Sequence, residues 1–358
     1  MWLRVNILKV MESRIVVVGA GAIGGITAAF IAKSGYDVTL ITKYPELAEM
    51  IREKGLLITG VKGTHRVKIK AYPRISDLNE QVDIVFLATK ATDMEEAAGQ
   101  ILPFIHKNSL VVSMQNGICE YKLAEIVGVE RTVGCVVGWG ATMVEPGHLE
   151  MTSTGRFWIG YIHKQSVDKG LETIKSLLET VVPVTITPNI ISELYSKLII
   201  NSAITSMGAI TGLYLGEMLS SGKIRRIFIE IMKEALEVAD SMGIQVPAYE
   251  GKLDYYKLVN AKGWLGNLYR YAILRIVGFK YRKLKSSSLQ SLERGKPTEI
   301  DFLNGFIVRK AEEFGLFTPV NEEIVEMIKE IEQGKRKISP DNVEEILIHI
   351  PPTRNYNP

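Results

Sequence analysis

The chain has 358 residues, more than one hydrophobic core usually covers, so two domains are the default expectation. Its 46% hydrophobic and 23% charged content is that of a soluble globular protein, and a net charge of +3 is too small to argue for a nucleic-acid partner. Two cysteines, Cys119 and Cys135, are too few for a disulfide framework and lack metal-ligand spacing, which points to a reduced, cytoplasmic setting with no metal site.

In chain order, "MWLRVNILKVMESRIVVVGAG" opens with an early Arg and a short apolar run, but no small-residue cleavage site follows. Residues 1–12 therefore read as an extension, with Met1 or Met11 as the start. No apolar run approaches the ~20 residues of a membrane-spanning helix, so no membrane partner is expected. "RIVVVGAGAIGGITAAFIAKSGYDVTLITK" predicts strand, Gly-rich turn, helix and strand, with Arg14 to Val18 buried on both faces and Gly35 closing the helix. "GLLITGVKGTHRVKIKAYP" alternates around a Gly turn, which predicts a hairpin or two edge strands. "VDIVFLATK" and "SLVVSMQNG" are apolar strands with polar tips, with a helix near Asp93 to Ile101 between them. "RTVGCVVGWGATMVEPGHLEMTSTGRFWIG" has the alternation and Gly/Pro punctuation of antiparallel strands, followed by a helix around Val167 to Val181 and a strand from Val184 to Thr187.

From Ile190 the periodicity is helical almost to the end. "ISELYSKLIINSAITSMGAITG" is a long apolar helix, while "KIRRIFIEIMKEALEVADSMG" and "FLNGFIVRKAEEFG" are amphipathic. These elements predict an α/β architecture: an N-terminal Rossmann-type dinucleotide-binding domain over 1–189, an all-helical C-terminal domain over 190–350, and a loose tail, 351–358.

The turn Gly19-x-Gly21-x-x-Gly24 stands between a predicted strand and a predicted helix, the context that gives this motif meaning. The first Gly permits the turn, the second admits a pyrophosphate, and the third lets helix and strand pack closely. Ala22 and Ile23, between the last two, open the helix whose N-terminus faces the phosphates. At the end of the second strand, Thr42 and Lys43 replace the usual carboxylate. Lys43 would attract a 2′-phosphate that a carboxylate would repel, so NADPH is expected over NADH. A Lys on a surface needs no such role.

Two other strand tips carry polar groups. "FLATK" ends in Lys90 and "SMQNG" in Asn116, whose amide can both donate to and accept from a cofactor ribose or a substrate oxygen; either residue also suits a plain turn. Lys197, Asn201 and Thr205 are spaced four apart and form one polar stripe on the long apolar helix. A lysine there is costly unless it has a partner or a task, or snorkels to the surface. An ammonium at such a place would stabilise negative charge growing on a ketone oxygen and deliver the proton. In "SSSLQSLERGKPTEIDFLNG" the chain breaks at Gly295 and Pro297 and then presents Glu299. Thr298 and Asp301 resemble a helix-capping pattern that would put Glu299 in a first helical turn, where the ionised form is favoured.

With the glycines, "LATK", "QNG", "ELYSKLIINSAIT" and "SSSLQSLERGKPTEIDFLNG" in this order along nearly the whole chain, the sequence resembles the ketopantoate reductase (2-dehydropantoate 2-reductase) family. The resemblance implies NADPH-dependent reduction of a 2-keto acid, ketopantoate, to pantoate on the way to pantothenate and coenzyme A. It implies a Rossmann domain and a helical domain with the active site in their cleft, and a homodimer. Carried over by motif position, Lys197 matches the catalytic lysine that protonates the carbonyl oxygen, and Glu299 the active-site glutamate. Asn116 lies between cofactor and substrate, Asn201 and Ser287 match substrate contacts, and Lys90 and Lys43 lie on the cofactor side.

Three departures bear on the substrate. Thr205 stands where the family often has a substrate-binding asparagine. Ser291 stands where "LQD" would supply an aspartate. The segment from Tyr255 to Lys285 is longer than in compact members, basic and aromatic, and free of acid. Its Leu265, Leu268, Tyr269, Ala272, Ile276 spacing predicts a helix face packed on a neighbour or a second subunit, against the alternative of an acidic membrane surface or nucleic acid. Two competing functions remain at this stage: a reductase of another 2-keto acid or of an imine, as in opine-type dehydrogenases, and a non-catalytic dinucleotide sensor.

Overall fold

A computed structural model describes residues 13–350; the extension 1–12 and the tail 351–358 lie outside the described residues. The chain divides into two compact units, Met1–Leu194 and Tyr195–Pro358.

The first unit runs β1 (Ile15–Val18), α1 (Ala22–Lys33), β2 (Val38–Ile41), α2 (Pro45–Lys54), β3 (Leu56–Gly60), β4 (His65–Val67), β5 (Lys70–Tyr72), β6 (Val82–Leu87), α3 (Met94–Ile101), β7 (Ile105–Ser113), α4 (Glu120–Val127), β8 (Thr132–Val137), β9 (Gly140–Glu145), β10 (His148–Ser153), β11 (Phe157–Tyr161), α5 (Lys169–Leu178) and β12 (Val184–Ile186). Eight strands form one sheet in the order β12-β11-β8-β7-β6-β1-β2-β5. All neighbours in it are parallel except β8 and β11. The central strands are apolar throughout because helices cover both faces; β1 is buried at every residue. Strand order reverses between β1 and β6, and the crevice at the carboxyl ends of such strands is where α/β sheets bind ligands. A second sheet, β4-β3-β10-β9, contains the expected hairpin as its β3–β4 pair, while β5 joins the large sheet beside β2.

The antiparallel reading of residues 131–160 holds for the β8–β11 and β9–β10 pairs but not for the partners these strands find outside the stretch. β8 runs parallel to β7 and antiparallel only to β11, and the β9–β10 hairpin belongs to the other sheet, with β10 parallel to β3. Alternation identifies a strand but not its partner. Helices α2 and α4 are additions to the predicted elements, although α2 has Pro45 near its start, Lys54 in its last turn and Gly55 at φ 75° just beyond.

The long helix α6 (Ile190–Thr211) leads into the second unit. There follow α7 (Leu215–Ser220), α8 (Gly222–Ser241), α9 (Tyr255–Asn260), α10 (Gly263–Lys280), α11 (Ser287–Glu293), a 3₁₀ turn (Ile300–Phe302), α12 (Asn304–Glu313), α13 (Pro319–Glu332) and α14 (Val343–Ile348). No strand occurs among its described residues. The mixed α/β first unit and helical second unit are the expected fold class.

Candidate active site

In the first unit the three fingerprint glycines have three separate physical reasons. Gly19 has φ 110°, and a Cβ there would lie 2.7 Å from the Ala88 carbonyl oxygen; a Cβ on Gly24 would lie 2.1 Å from the Gly19 carbonyl oxygen. Both are therefore required by the β1–α1 turn and its approach to the end of β6. A Cβ on Gly21 would meet nothing within 4 Å. Gly21 is also the N-cap of α1, with no side-chain cap and no acid in the first turn, Ala22 and Ile23 opening the helix. Space above Gly21 and amide groups at a helix N-terminus fit a pyrophosphate, so these residues suit a dinucleotide.

The strand tips beside this turn are tied together. Ser113 Oγ donates to Gln115 Oε1 at 2.8 Å, and Gln115 Nε2 donates to Thr89 Oγ1 at 3.3 Å, which links the "TK" and "QNG" loops. Lys90 and Asn116 are half-buried at these tips, and Gly117 follows at φ 87°. Thr42 is buried, its hydroxyl donating to the Tyr44 carbonyl at 2.9 Å. Lys43 has φ 78°, a left-handed conformation uncommon for lysine, and its ammonium lies 3.7 Å from Asp93 in an exposed pair. The structure thus gathers Gly19, Gly21, Gly24, Thr42, Lys43, Lys90 and Asn116 at the carboxyl ends of β1, β2, β6 and β7.

On α6 the stripe is real but graded. Lys197 and Asn201 are half-buried on a helix most of whose other residues are buried, whereas Thr205 is 7% exposed and its hydroxyl donates to the Asn201 carbonyl. Next to the stripe, the α11 start packs against α6 at Gly208, where a Cβ would lie 2.5 Å from Ser286 Oγ. Ser286 is the buried N-cap of α11, accepting from Leu289 N at 3.1 Å, while Ser287 beside it is exposed. Ser291 is buried, and its hydroxyl donates to the Ser287 carbonyl at 3.0 Å.

The capping reading around Glu299 is corrected. Thr298 Oγ1 accepts from Ile300 N at 3.2 Å, but Asp301 pairs with Lys329 at 2.8 Å instead of closing a box. Glu299 is the N-cap of the short 3₁₀ turn, half-buried, with φ −103° and ψ 28°. The intervening Gly295 and Pro297 leave too few residues before this turn for a regular helix.

Motif reading passes over a buried chain behind these residues. Ser206 Oγ, next to Thr205, donates to Asn304 Oδ1; Asn304 Nδ2 donates to Asn321 Oδ1 at 2.8 Å; and Asn321 Nδ2 donates to Glu234 Oε2 at 2.6 Å. Glu234 also accepts from Val320 N and Asn321 N, both at 3.0 Å, so it caps α13. Burial pushes its carboxyl up to about 7 against those three donors, and the nearby Glu230 adds to the rise. Only Asn304 lies within a quoted motif, and Glu234 sits in an amphipathic run where an exposed acid is the ordinary expectation. Glu193, four residues before Lys197, is likewise half-buried, and burial raises its pKa; its spacing from Lys197 was the available signal.

Among the described residues no group of three His, Cys, Asp or Glu could hold a metal ion, and no helix is long and apolar enough to cross a membrane. Cys119 and Cys135 are buried, and neither is part of a disulfide. Residues 15–164 match the model of the ketopantoate reductase PanE/ApbA family, and residues 189–332 match that of its C-terminal domain. A 2-dehydropantoate 2-reductase from Pyrococcus abyssi is 31% identical over 327 residues, covering 90% of this chain and all of the relative. A PanE/ApbA family ketopantoate reductase structure from Ralstonia eutropha JMP134 superposes with TM-score 0.77 at 27% identity, covering 90% of this chain and all of that one. A D-mandelate dehydrogenase solved with NADH and anilino(oxo)acetate shares the fold at TM-score 0.77 and 23% identity, over 90% of this chain and 99% of that one. The chain belongs to the ketopantoate reductase family of nicotinamide-dinucleotide-dependent oxidoreductases acting on a CH–OH group.

Proposed function

We propose that the protein reduces the ketone of 2-dehydropantoate to give pantoate, with NADPH as the reductant and Lys197 as the proton donor. The observation that carries this reading is the half-buried Lys197 with half-buried Asn201 one turn further along a helix most of whose other residues are buried. When bound, the dinucleotide supplies the hydride. Gly21 and the α1 N-terminus hold its pyrophosphate, and Lys43 attracts its 2′-phosphate, exchanging a weak exposed pair with Asp93 for a doubly charged partner.

Lys197 stabilises the charge that grows on the ketone oxygen and transfers a proton to that atom. Asn116, Asn201 and Ser287 orient the keto acid through hydrogen bonds, with Thr205 shaping the pocket beside Asn201. Glu299 orients Lys197 or accepts from the substrate hydroxyl, and Lys90 serves the cofactor. The reaction belongs to pantothenate and coenzyme A synthesis and to the cytoplasm.

A second reading, reduction of another 2-keto acid, is favoured by Thr205 and Ser291, whose hydroxyls both bond to backbone carbonyls of their own helices. A steady-state assay of 2-dehydropantoate beside a panel of 2-keto acids, each with NADPH and with NADH, separates the two. Absence of turnover with 2-dehydropantoate overturns the first. Lys197→Ala should lower kcat by about 10²–10⁴-fold while NADPH still binds, as followed by quenching of protein fluorescence. An unchanged kcat removes Lys197 from the chemistry.

A further inference from the structure

The basic segment 255–285 takes no part in the chemistry proposed above, yet its first residue reaches the helix that carries Lys197. Tyr255 opens α9 and is 1% exposed. Asp254, the N-cap of α9, accepts from Lys257 N at 2.9 Å and fixes where that helix begins. The Tyr255 hydroxyl donates to the Ser196 carbonyl of α6 at 2.6 Å. Burial, with Tyr249 nearby, pushes the phenol's pKa well above its ordinary value, while the Ser196 hydroxyl and the Ile200 amide beside it pull the other way. The phenol therefore keeps its proton and stays a donor.

The same turn of α6 is tied down by its neighbours. Ser196 Oγ donates at 2.9 Å to the carbonyl of Pro247, in the stretch between α8 and α9. Tyr195 Oη donates to the Ala235 carbonyl of α8 at 3.1 Å. Between Pro247 and Tyr255 the chain closes a tight turn, with Tyr249 N donating to the Leu253 carbonyl at 3.0 Å. Two of the three ties thus come from one short stretch of chain, and all three attach to the two residues directly before Lys197.

In an α-helix the Ser196 carbonyl is served by the Ile200 amide, four residues on. The Tyr255 hydroxyl is therefore not needed to satisfy α6, and a phenylalanine would fill the same volume. What the hydroxyl adds is a fixed place for that rung of the helix. Ser196 and Ile200 directly precede Lys197 and Asn201, so the rung sets where both side chains leave the backbone. We infer that Tyr255 is a positioning residue: on the reading of Lys197 as proton donor, it holds, through the Ser196 carbonyl, the turn of α6 from which Lys197 and Asn201 meet the keto acid. A rotation of about 10° around the helix axis moves an ammonium roughly 6–8 Å from that axis by about 1 Å. A displacement of that size is enough to slow a reaction on the order of 100-fold.

Tyr255→Phe in the full chain tests this, assayed with NADPH and the 2-keto acid the panel finds to be turned over, well below the melting temperature. The expected result is a kcat about 10–100-fold lower, with the KM for NADPH and the melting temperature unchanged, because Ser196 and Ile200 still satisfy each other. Ser196→Ala, which cuts the tie to Pro247, should also lower kcat. In the double variant the two losses should fall short of their product, since both act on one turn. A wild-type kcat in Tyr255→Phe overturns the inference, whether or not the melting temperature drops; a drop alone is the mark of packing. A raised KM for the keto acid at unchanged kcat overturns it too, as does a double variant whose losses multiply in full. Lys197→Ala keeps the two levels apart. If its kcat collapses while that of Tyr255→Phe does not, only this inference fails; if its kcat is that of the wild type, the proton-donor reading fails and this inference falls with it.

Discussion

Glycine and lysine positions show most directly how single residues are constrained. Gly24 and Gly21 belong to one motif but answer to different demands. Gly24→Ala would place a Cβ 2.1 Å from the Gly19 carbonyl oxygen, a backbone clash with no flexible atom to yield. It should cost about 1–3 kcal/mol of stability, read as a lower denaturant midpoint. Gly21→Ala meets no protein atom and has an ordinary φ of −68°, so the melting temperature should hold while dinucleotide affinity falls. Equal melting losses in the two variants would refute this division of labour.

Lys43 combines a left-handed backbone with an exposed ammonium. Lys43→Gly relieves a strain of roughly 1–2 kcal/mol, largely offset by the added freedom of the unfolded chain. Stability should therefore stay level or rise slightly, and kcat/KM with NADPH should drop about 10–100-fold while that with NADH is unchanged, the loss expected for a charge-assisted contact. An undiminished preference for NADPH would place the 2′-phosphate elsewhere. The Gly-x-Gly-x-x-Gly spacing was legible in the sequence because it depends on local backbone geometry. The left-handed φ of Lys43 was not, since nothing in "LITKYP" distinguishes it from an extended strand end.

Among the elements, α6 and the segments packed on it hold most of the proposed chemistry of the second unit. The polar stripe was readable because helical spacing is a property of the sequence alone. Its grading was not, since burial of Thr205 and half-exposure of Lys197 depend on what packs around the helix. The same holds for Glu234, which joins α8 to the start of α13 and, through Asn321 and Asn304, to Ser206 on α6.

A carboxyl whose pKa is about 7 folded and 4.5 ordinarily binds its proton more tightly in the native state. Its contribution to stability is then fully present below about 4.5 and is lost as pH rises through about 7. The wild type should lose about 3 kcal/mol across that window relative to Glu234→Gln, which has no proton to release. Denaturant melts of both proteins at pH 4.5, 6 and 8 check this, and parallel pH profiles would show that the three amide donors keep Glu234 ionised throughout.

For the chain taken together, two units and their classes followed from a change of periodicity near Ile190, and both are present. The family was legible as well, because its motifs are short, ordered and spread along the chain, and the two family models match in the same order. Sequence order and local periodicity thus determined that a Rossmann-type α/β unit precedes a helical unit, and which residue types cluster at strand tips and on one helix face. Pairing and burial were decided only by tertiary structure. The partners of β8 and β10, the open space at Gly21, the failed capping box at Thr298 and the chain ending at Glu234 all arise between segments far apart in sequence. The outward face of α10 belongs with them: its spacing predicted a helix with an apolar side, but only the fold shows that this side is turned away from the protein's own core, since Leu274 and Gly278 occupy the contact with α7. Local rules report the shape of each segment, whereas the free energy of burial is settled by which segments meet.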